Sequence, residues 1–340
     1  MAKVTALDIA KAANVSLSTV DRVLNSRGGV AEIKERSVLE WARKLKIDRA
    51  LNQRAPRTMH IAVLVQPPDN PFHAAVQRKF LAAAREFPNY NLQFKVHHLD
   101  PLRPSGTARL IKALASSCDG MVIVSAQHED IATALHDFGR SGKPVVTLAT
   151  DIHGAERHAY VGPDNRKAGR VAGDMMGRLL GPTGGDIIVI SGMLSMIGHE
   201  EREMGFRAVL QERYPNCRVI AVLESQERGE RAGDLVFTAL KTNSEIRGIY
   251  NASAGAQTVV DALRALDRYQ DVVFITHELT EDRRKLLREG LIDQDPSLEV
   301  CTTVEVLAAC FGRTAPPPLA HHADTYSHGG ELLIVLFRAA

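Results

Sequence analysis

Six residues that follow short apolar segments have side chains suited to holding a small polar molecule: Asn70, Phe72, Asp151, Arg202, Asn251 and Glu278. The amides of Asn70 and Asn251 can donate to or accept from a hydroxyl. The Phe72 ring either stacks on the C–H face of a sugar or belongs to an ordinary core. A carboxylate such as Asp151 or Glu278 accepts from two adjacent hydroxyls, and for Asp151 the plain alternative is an exposed loop residue. Arg202 lies in the loop-to-helix segment Gly198–Gly205, where an ion pair with Glu201 or Glu203 competes with ligand binding. Together these groups point to a monosaccharide or a close polyol relative.

Other chemistries find no support in the spacing. His199-Glu200-Glu201-Arg202 departs from the two-histidine zinc helix motif. Gly181–Gly185 lacks the Gly-Lys-Ser/Thr of a phosphate loop and reads as a tight turn. His97-His98 and His321-His322 have no partners at metal-ligand spacing, and the cysteines at 118, 217, 301 and 310 form no Cys-x-x-Cys pair. No nucleophile has a strand–turn setting that would activate it. The expectation is a protein that is not an enzyme and needs no cofactor or metal.

Those candidate residues need a frame, and the chain from His60 onward supplies one. Strand-length apolar runs occur at Ile61–Val65, Leu92–Val96, Gly120–Val124, Val145–Leu148, Ile187–Ile190, Val219–Leu223, Gly248–Tyr250 and Val272–Ile275. Amphipathic helices lie between most of them. Fully apolar strands joined by helices make parallel sheets covered on both faces. The class is therefore α/β, with two doubly wound subdomains split near Gly162-Pro163. Ligands of such folds bind at the carboxyl ends of the strands.

The first 47 residues follow another rule. They are expected to form three short helices: Thr5 caps the first, Ser16 the second, and the third runs from about Ala31 to Lys46. Leu7, Ile9, Ala10 and Ala13 mark one inward face, and Ile33, Val38, Trp41, Ala42 and Leu45 another. Residues 1–60 carry 12 Lys/Arg against 6 Asp/Glu, whereas the remainder carries 30 against 34. A basic head on an acidic body points to a polyanion partner at one end. Asp8 to Asn25 has the form of a helix-turn-helix, whose second helix offers residues to base edges and flanking hydroxyls to phosphates. Arg22 suits a guanine edge and Leu17 a thymine methyl. Ser18 points outward beside them, and Ser16, Thr19 and Asn25 suit phosphates.

Residues 4–25, with Val4-Thr5, Asp8-Ile9-Ala10, Val15-Ser16, Thr19-Val20 and Arg22-Val23-Leu24-Asn25, resemble the DNA-binding head of the LacI/GalR family of bacterial repressors. The segment from His60 resembles a ribose-binding-protein type of effector core. That likeness rests on Val65-Gln66 through Asn70-Pro71-Phe72, Tyr160 through Asp164-Asn165, Glu201-Arg202 through Gly205-Phe206, and Asn251 after a strand. The resemblance implies a cytoplasmic homodimer that binds a palindromic operator in double-stranded DNA and responds to a small effector, often a sugar. It implies DNA contacts from Thr5, Ser16, Leu17, Ser18, Thr19, Arg22 and Asn25, and a role for Arg202 in gripping ligand oxygens. The domain plan is a head at 1–47, a hinge at 48–59 and a core at 60–340. Within the core, 60–163 plus a C-terminal return form one subdomain and 164–290 the other.

The chain departs from this pattern in three places. Asp21 stands where the family usually has Ser, and Pro56 stands where the hinge usually wedges a Leu into the minor groove. Near Asp293–Pro296 the final crossover is short, and only Glu331–Arg338 reads as a last strand. A sugar-binding transport component without DNA activity is the alternative. The basic head argues against it, as does an N-terminus without a secretory apolar region. No apolar run is long enough to span a bilayer.

Overall fold

A computed structural model describes residues 5–24, 29–45, 57–277, 307 and 335–337. The chain divides into two units, Met1–Thr58 and Met59–Ala340.

The first unit contains α1 (Ala6–Ala12), α2 (Leu17–Leu24) and α3 (Glu32–Lys44). Asp8 begins the first turn from within: its carboxylate accepts from both the backbone N–H and the hydroxyl of Thr5, each at 2.8 Å. Asn14 takes a left-handed φ of 50° and turns the chain, and the Val15 N–H then closes onto the Ala10 carbonyl at 3.0 Å. Ser16 Oγ accepts from the Thr19 N–H at 3.2 Å and caps α2. Ile9, Ala10, Val20, Val23, Val38 and Ala42 make the core. Leu7 and Ile33 correct the expected inward faces, being 50% and 85% exposed. The core of the bundle forms from other side chains.

The second unit is built on two five-stranded sheets. The first has the order β2-β1-β3-β4-β5, from β1 (Met59–Val65), β2 (Leu92–His98), β3 (Gly120–Ile123), β4 (Val145–Leu148) and β5 (Ala159–Val161), all parallel. Helices α4 (Pro71–Glu86), α5 (Pro104–Leu114) and α6 (Glu129–Arg140) connect its first four strands. The second sheet comprises β6 (Gly185–Ser191), β7 (Cys217–Glu224), β8 (Ile246–Asn251), β9 (Val273–Thr276) and β10 (Val335–Phe337), in the order β10-β9-β8-β6-β7. Helices α7 (Asn165–Leu180), α8 (Ile197–Arg213), α9 (Gly229–Thr242) and α10 (Ala256–Ala265) flank it. The eight expected strands are all present, and both sheets are covered on two faces. The sequence reading passed over β5, which is three residues long. β10 runs antiparallel to β9 at the edge of the second sheet. Leu307, fully buried, joins Phe80, Val63 and Val122 in the core of the first lobe.

Helices α7 and α8 approach closely because glycines line their contact. A Cβ built on Gly169 would collide with the Arg202 carbonyl, and one on Gly205 with the Arg166 carbonyl. Backbone cannot yield as a flexible side chain does. Gly169→Ala is therefore expected to lower the stability of this unit by about 1–3 kcal/mol, the range for overpacked sites. Urea unfolding followed by circular dichroism checks this, and an unchanged midpoint would contradict the close approach.

Candidate functional site

The loops at the carboxyl ends of the two sheets face one another around a narrow cleft. Asn70, Phe72, His73, Val124, Ala149 and Thr150 line it from the first lobe. Met196, Gly198, His199, Arg202, Glu227, Ser253 and Ala254 line it from the second. The lobes also touch directly. Met196 is buried in the core of the first lobe, the Gly198 N–H donates to Thr150 Oγ1 at 3.0 Å, and the Gln127 N–H donates to the Ser195 carbonyl at 2.6 Å.

Asn70 leaves β1 in extended conformation and caps α4: its Oδ1 accepts from the Phe72 N–H at 3.0 Å. The cap fixes the amide, so that Nδ2 donates across the cleft to Glu227 Oε2 at 3.0 Å. Phe72 follows on the first turn and presents its ring to the cleft. His73 is 1% exposed. Its Nδ1 accepts from the Gln66 N–H at 3.3 Å, which leaves the ring proton on Nε2.

Arg202, on α8, is 7% exposed. Its Nε donates to Asn165 Oδ1 at 2.8 Å and its Nη1 to the Ala252 carbonyl at 3.0 Å. Asn165 in turn donates to the Ala149 carbonyl at 3.1 Å. Ala149 holds a left-handed φ of 61°, an arrangement that costs a non-glycine residue roughly 1–2 kcal/mol. Glu203, one of the two partners the sequence offered Arg202, pairs with Arg207.

Two expected pocket residues stand elsewhere. Asp151 is absent from the cleft lining. Its carboxylate is held by Arg157 at 2.7 Å and by the Thr147 hydroxyl at 2.8 Å, and it also accepts from the Ile152 N–H. Asn251 is fully buried and shapes the wall from behind: its Oδ1 accepts from the Ser253 N–H at 3.0 Å and its Nδ2 donates to the Ala254 carbonyl at 3.2 Å. Ser253 and Ala254 then line the cleft. Asp164 caps α7 through the Lys167 N–H at 2.9 Å, while Asn165 serves Arg202. Glu278 lies outside the described residues.

The sequence reading missed His73, Thr150, His199, Ser253 and Glu227. Glu227 has the clearest missed signal, because its loop directly follows β7, an apolar strand. Gln226 and Glu227 both adopt left-handed backbone, φ 56° and 62°. Gly192 leaves the space this carboxylate fills, since a Cβ there would collide with Glu227 Oε1. His199 Nδ1 lies 3.5 Å from the same oxygen.

Burial pushes His73 down to about 3. Burial, followed by the positive charge of Arg202, pushes His199 down to about 3 as well. Both rings are therefore neutral at pH 7. An unfolded histidine titrates near 6.5, so below that pH the unfolded chain binds protons that the folded chain refuses. Stability conferred by the neutral rings is complete above about pH 6.5 and is lost as the pH falls toward 3. Melting temperature should decline as pH drops through 6, and His73→Gln should flatten that decline. An equal slope in the variant would contradict the buried neutral ring.

In the head, Leu17 is 49% exposed. Ser18, Asp21 and Arg22 are exposed on α2 with it. The Ser16 hydroxyl lies 2.9 Å from that of Ser18 and 2.8 Å from that of Thr19, which gathers three hydroxyls at the start of the helix. Thr5 spends its hydroxyl on Asp8. Asn25, Pro56 and most of the expected hinge lie outside the described residues.

Residues 61–312 match the family model described as a periplasmic binding protein domain. The chain belongs to that family. Residues 5–46 match the model for bacterial regulatory proteins of the lacI family, so this periplasmic-binding-protein core stands behind a lacI-type helix-turn-helix head. The chain is 25% identical over 214 residues to the HTH-type transcriptional regulator DegA of Bacillus subtilis, covering 62% of this chain. It spans 61% of the length of that relative. It is 19% identical over 251 residues to the D-ribose/D-allose-binding protein of Pseudomonas aeruginosa, covering 72% of this chain and 78% of that protein. The crystal structure of GanP, a glucose-galactose binding protein from Geobacillus stearothermophilus, superposes with a TM-score of 0.66 at 23% identity. That match covers 76% of this chain and 94% of GanP, and it shows the shared core fold. Both matched families are regulatory or binding families. No helix among the described residues is long and apolar enough to cross a membrane.

Proposed function

We propose that this protein is a transcriptional regulator that binds a specific DNA sequence and is controlled by a small uncharged sugar or polyol held in the cleft. One observation carries the reading: a helix-turn-helix head with exposed Leu17, Ser18 and Arg22 shares its chain with a two-lobed core. That core closes on a cleft mixing an aromatic ring with hydrogen-bonding side chains. Similar proteins, one a regulator and others sugar binders, support the same division of labour. The two lobes supply a bistable element, because a ligand that bridges them favours the closed form.

The same reading makes the protein a cytoplasmic homodimer on a palindromic operator, since a helix-turn-helix reads one half-site and two copies read both. Leu17, Ser18 and Arg22 face bases, with Ser16, Thr19 and Asn25 on phosphates. Asn70, Phe72, Arg202 and Glu278 contact the effector.

Selection of bound fragments from genomic DNA tests the reading. Enrichment of one palindromic sequence is expected. Phosphate contacts alone should give binding in roughly the micromolar range at low salt, and its absence there would sink the regulator reading. In that event, a sugar that still raises the melting temperature would favour the transport-type binder.

A further inference from the structure

The loop between β6 and α8 belongs to the second lobe by chain order, yet the first lobe holds its middle. Met196 is 4% exposed and lies in the buried cluster that contains Val63, Val122, Val124 and Leu148 of the first lobe. Met193 packs against the same cluster. The Gln127 N–H donates to the Ser195 carbonyl at 2.6 Å, and the Gly198 N–H to Thr150 Oγ1 at 3.0 Å. Gly198 permits that approach, since a Cβ there would stand 3.3 Å from the Ala149 carbonyl and 2.9 Å from Asn165 Nδ2. The flanks stay with the second lobe. The Leu194 N–H donates to Glu224 Oε1 of β7 at 2.6 Å, and Phe206 and Leu210 of α8 are buried in the second lobe's core.

Resting on the effector reading above, we propose that residues 193–198 form a strap whose anchor, Met196, sets the balance between open and closed forms of the two lobes. Opening the cleft draws an apolar side chain out of a core that excludes water, and it breaks two hydrogen bonds of the strap at the same time. Methionine suits a reversible anchor, because its unbranched chain fills an irregular gap without locking into it. The strap leads directly into α8, which carries His199 and Arg202 of the cleft wall. A ligand therefore acts on an equilibrium that the strap already weights toward closure. Outside the strap, Asn70 also reaches Glu227 across the cleft.

Hydrogen–deuterium exchange of the full chain, read by mass spectrometry, tests this. In Met196→Ala, peptides containing the Gln127 and Gly198 amides should exchange at least about tenfold faster than in wild type, while β1 and β6 change by less than about twofold. Met196→Leu keeps the apolar volume and should hold both peptides within about threefold of wild type. A sugar that raises the melting temperature should bind Met196→Ala about tenfold more weakly, because fewer molecules are closed when it arrives, and Met196→Leu should restore its affinity. The proposal falls if the Gln127 peptide keeps its wild-type rate or if the sugar affinity of Met196→Ala is unchanged. It also falls if all four segments speed up equally, as a general loss of stability would make them. Should Met196→Ala fail to fold, Thr150→Val removes the acceptor of the Gly198 N–H and must also speed exchange at Gln127. An unchanged rate there overturns the proposal. If no sugar raises the melting temperature, the effector reading fails, whereas the exchange rates still decide the strap.

Discussion

Replacing Arg202 with alanine is expected to lower the stability of the effector-binding unit by about 3 kcal/mol and to abolish sugar-dependent stabilisation. The guanidinium is 7% exposed and donates to Asn165 Oδ1 and the Ala252 carbonyl. Hydrogen bonds involving a charged group contribute about 1.5–3 kcal/mol each, and removing the donor leaves both acceptors buried and unsatisfied. The damage reaches further than those two bonds. Asn165 also donates to Ala149, whose left-handed backbone forms part of the cleft wall. Arg202→Lys should recover only part of the loss, because one ammonium cannot reproduce a planar fork that serves two separated acceptors. Melting curves of the three proteins, with and without a bound sugar, check this. A fully stable Arg202→Ala that still responds to sugar would contradict it.

The second large effect belongs to the head. Arg22→Ala is expected to cost about 1–3 kcal/mol of specific DNA binding, the usual worth of one bidentate base contact. Arg22 is exposed on α2 beside Leu17 and Ser18, while Val20 and Val23 hold the opposite face in the core. The substitution therefore leaves the fold of the head untouched. Binding to random DNA should change little, so the ratio of specific to random affinity should fall about 10- to 100-fold. Anisotropy titrations at one fixed salt concentration measure both affinities. Equal losses on both DNAs would place Arg22 on phosphate instead of a base edge.

The sequence disclosed the frame better than the wall of the cleft. Runs such as Ile61–Val65 and Ile187–Ile190 are apolar because both faces of their sheets are covered, and that signal is local. The three residues of β5 are too short to register. Leu7 and Ile33 show the limit of helical periodicity: it marks a face, but not which positions on that face the fold covers. Asp151 shows the limit of reading loops singly. Its position after a strand was right for a ligand contact, yet Arg157 and Thr147 claim it through the fold. Glu227 is the reverse case. Its left-handed backbone and its space over Gly192 exist only once β6 and β7 pair, so the local sequence offers no more than its place after β7. Neutral His73 and His199 likewise follow from burial by both lobes.

Under the proposed function, one molecule couples a cleft to a DNA-reading helix. The most direct measurement is the affinity of the full chain for its selected operator, with and without a saturating uncharged sugar that raises its melting temperature. The account predicts a change of at least about tenfold, or 1.4 kcal/mol, within the usual range of allosteric coupling. An operator affinity identical in the presence and absence of that sugar would contradict it.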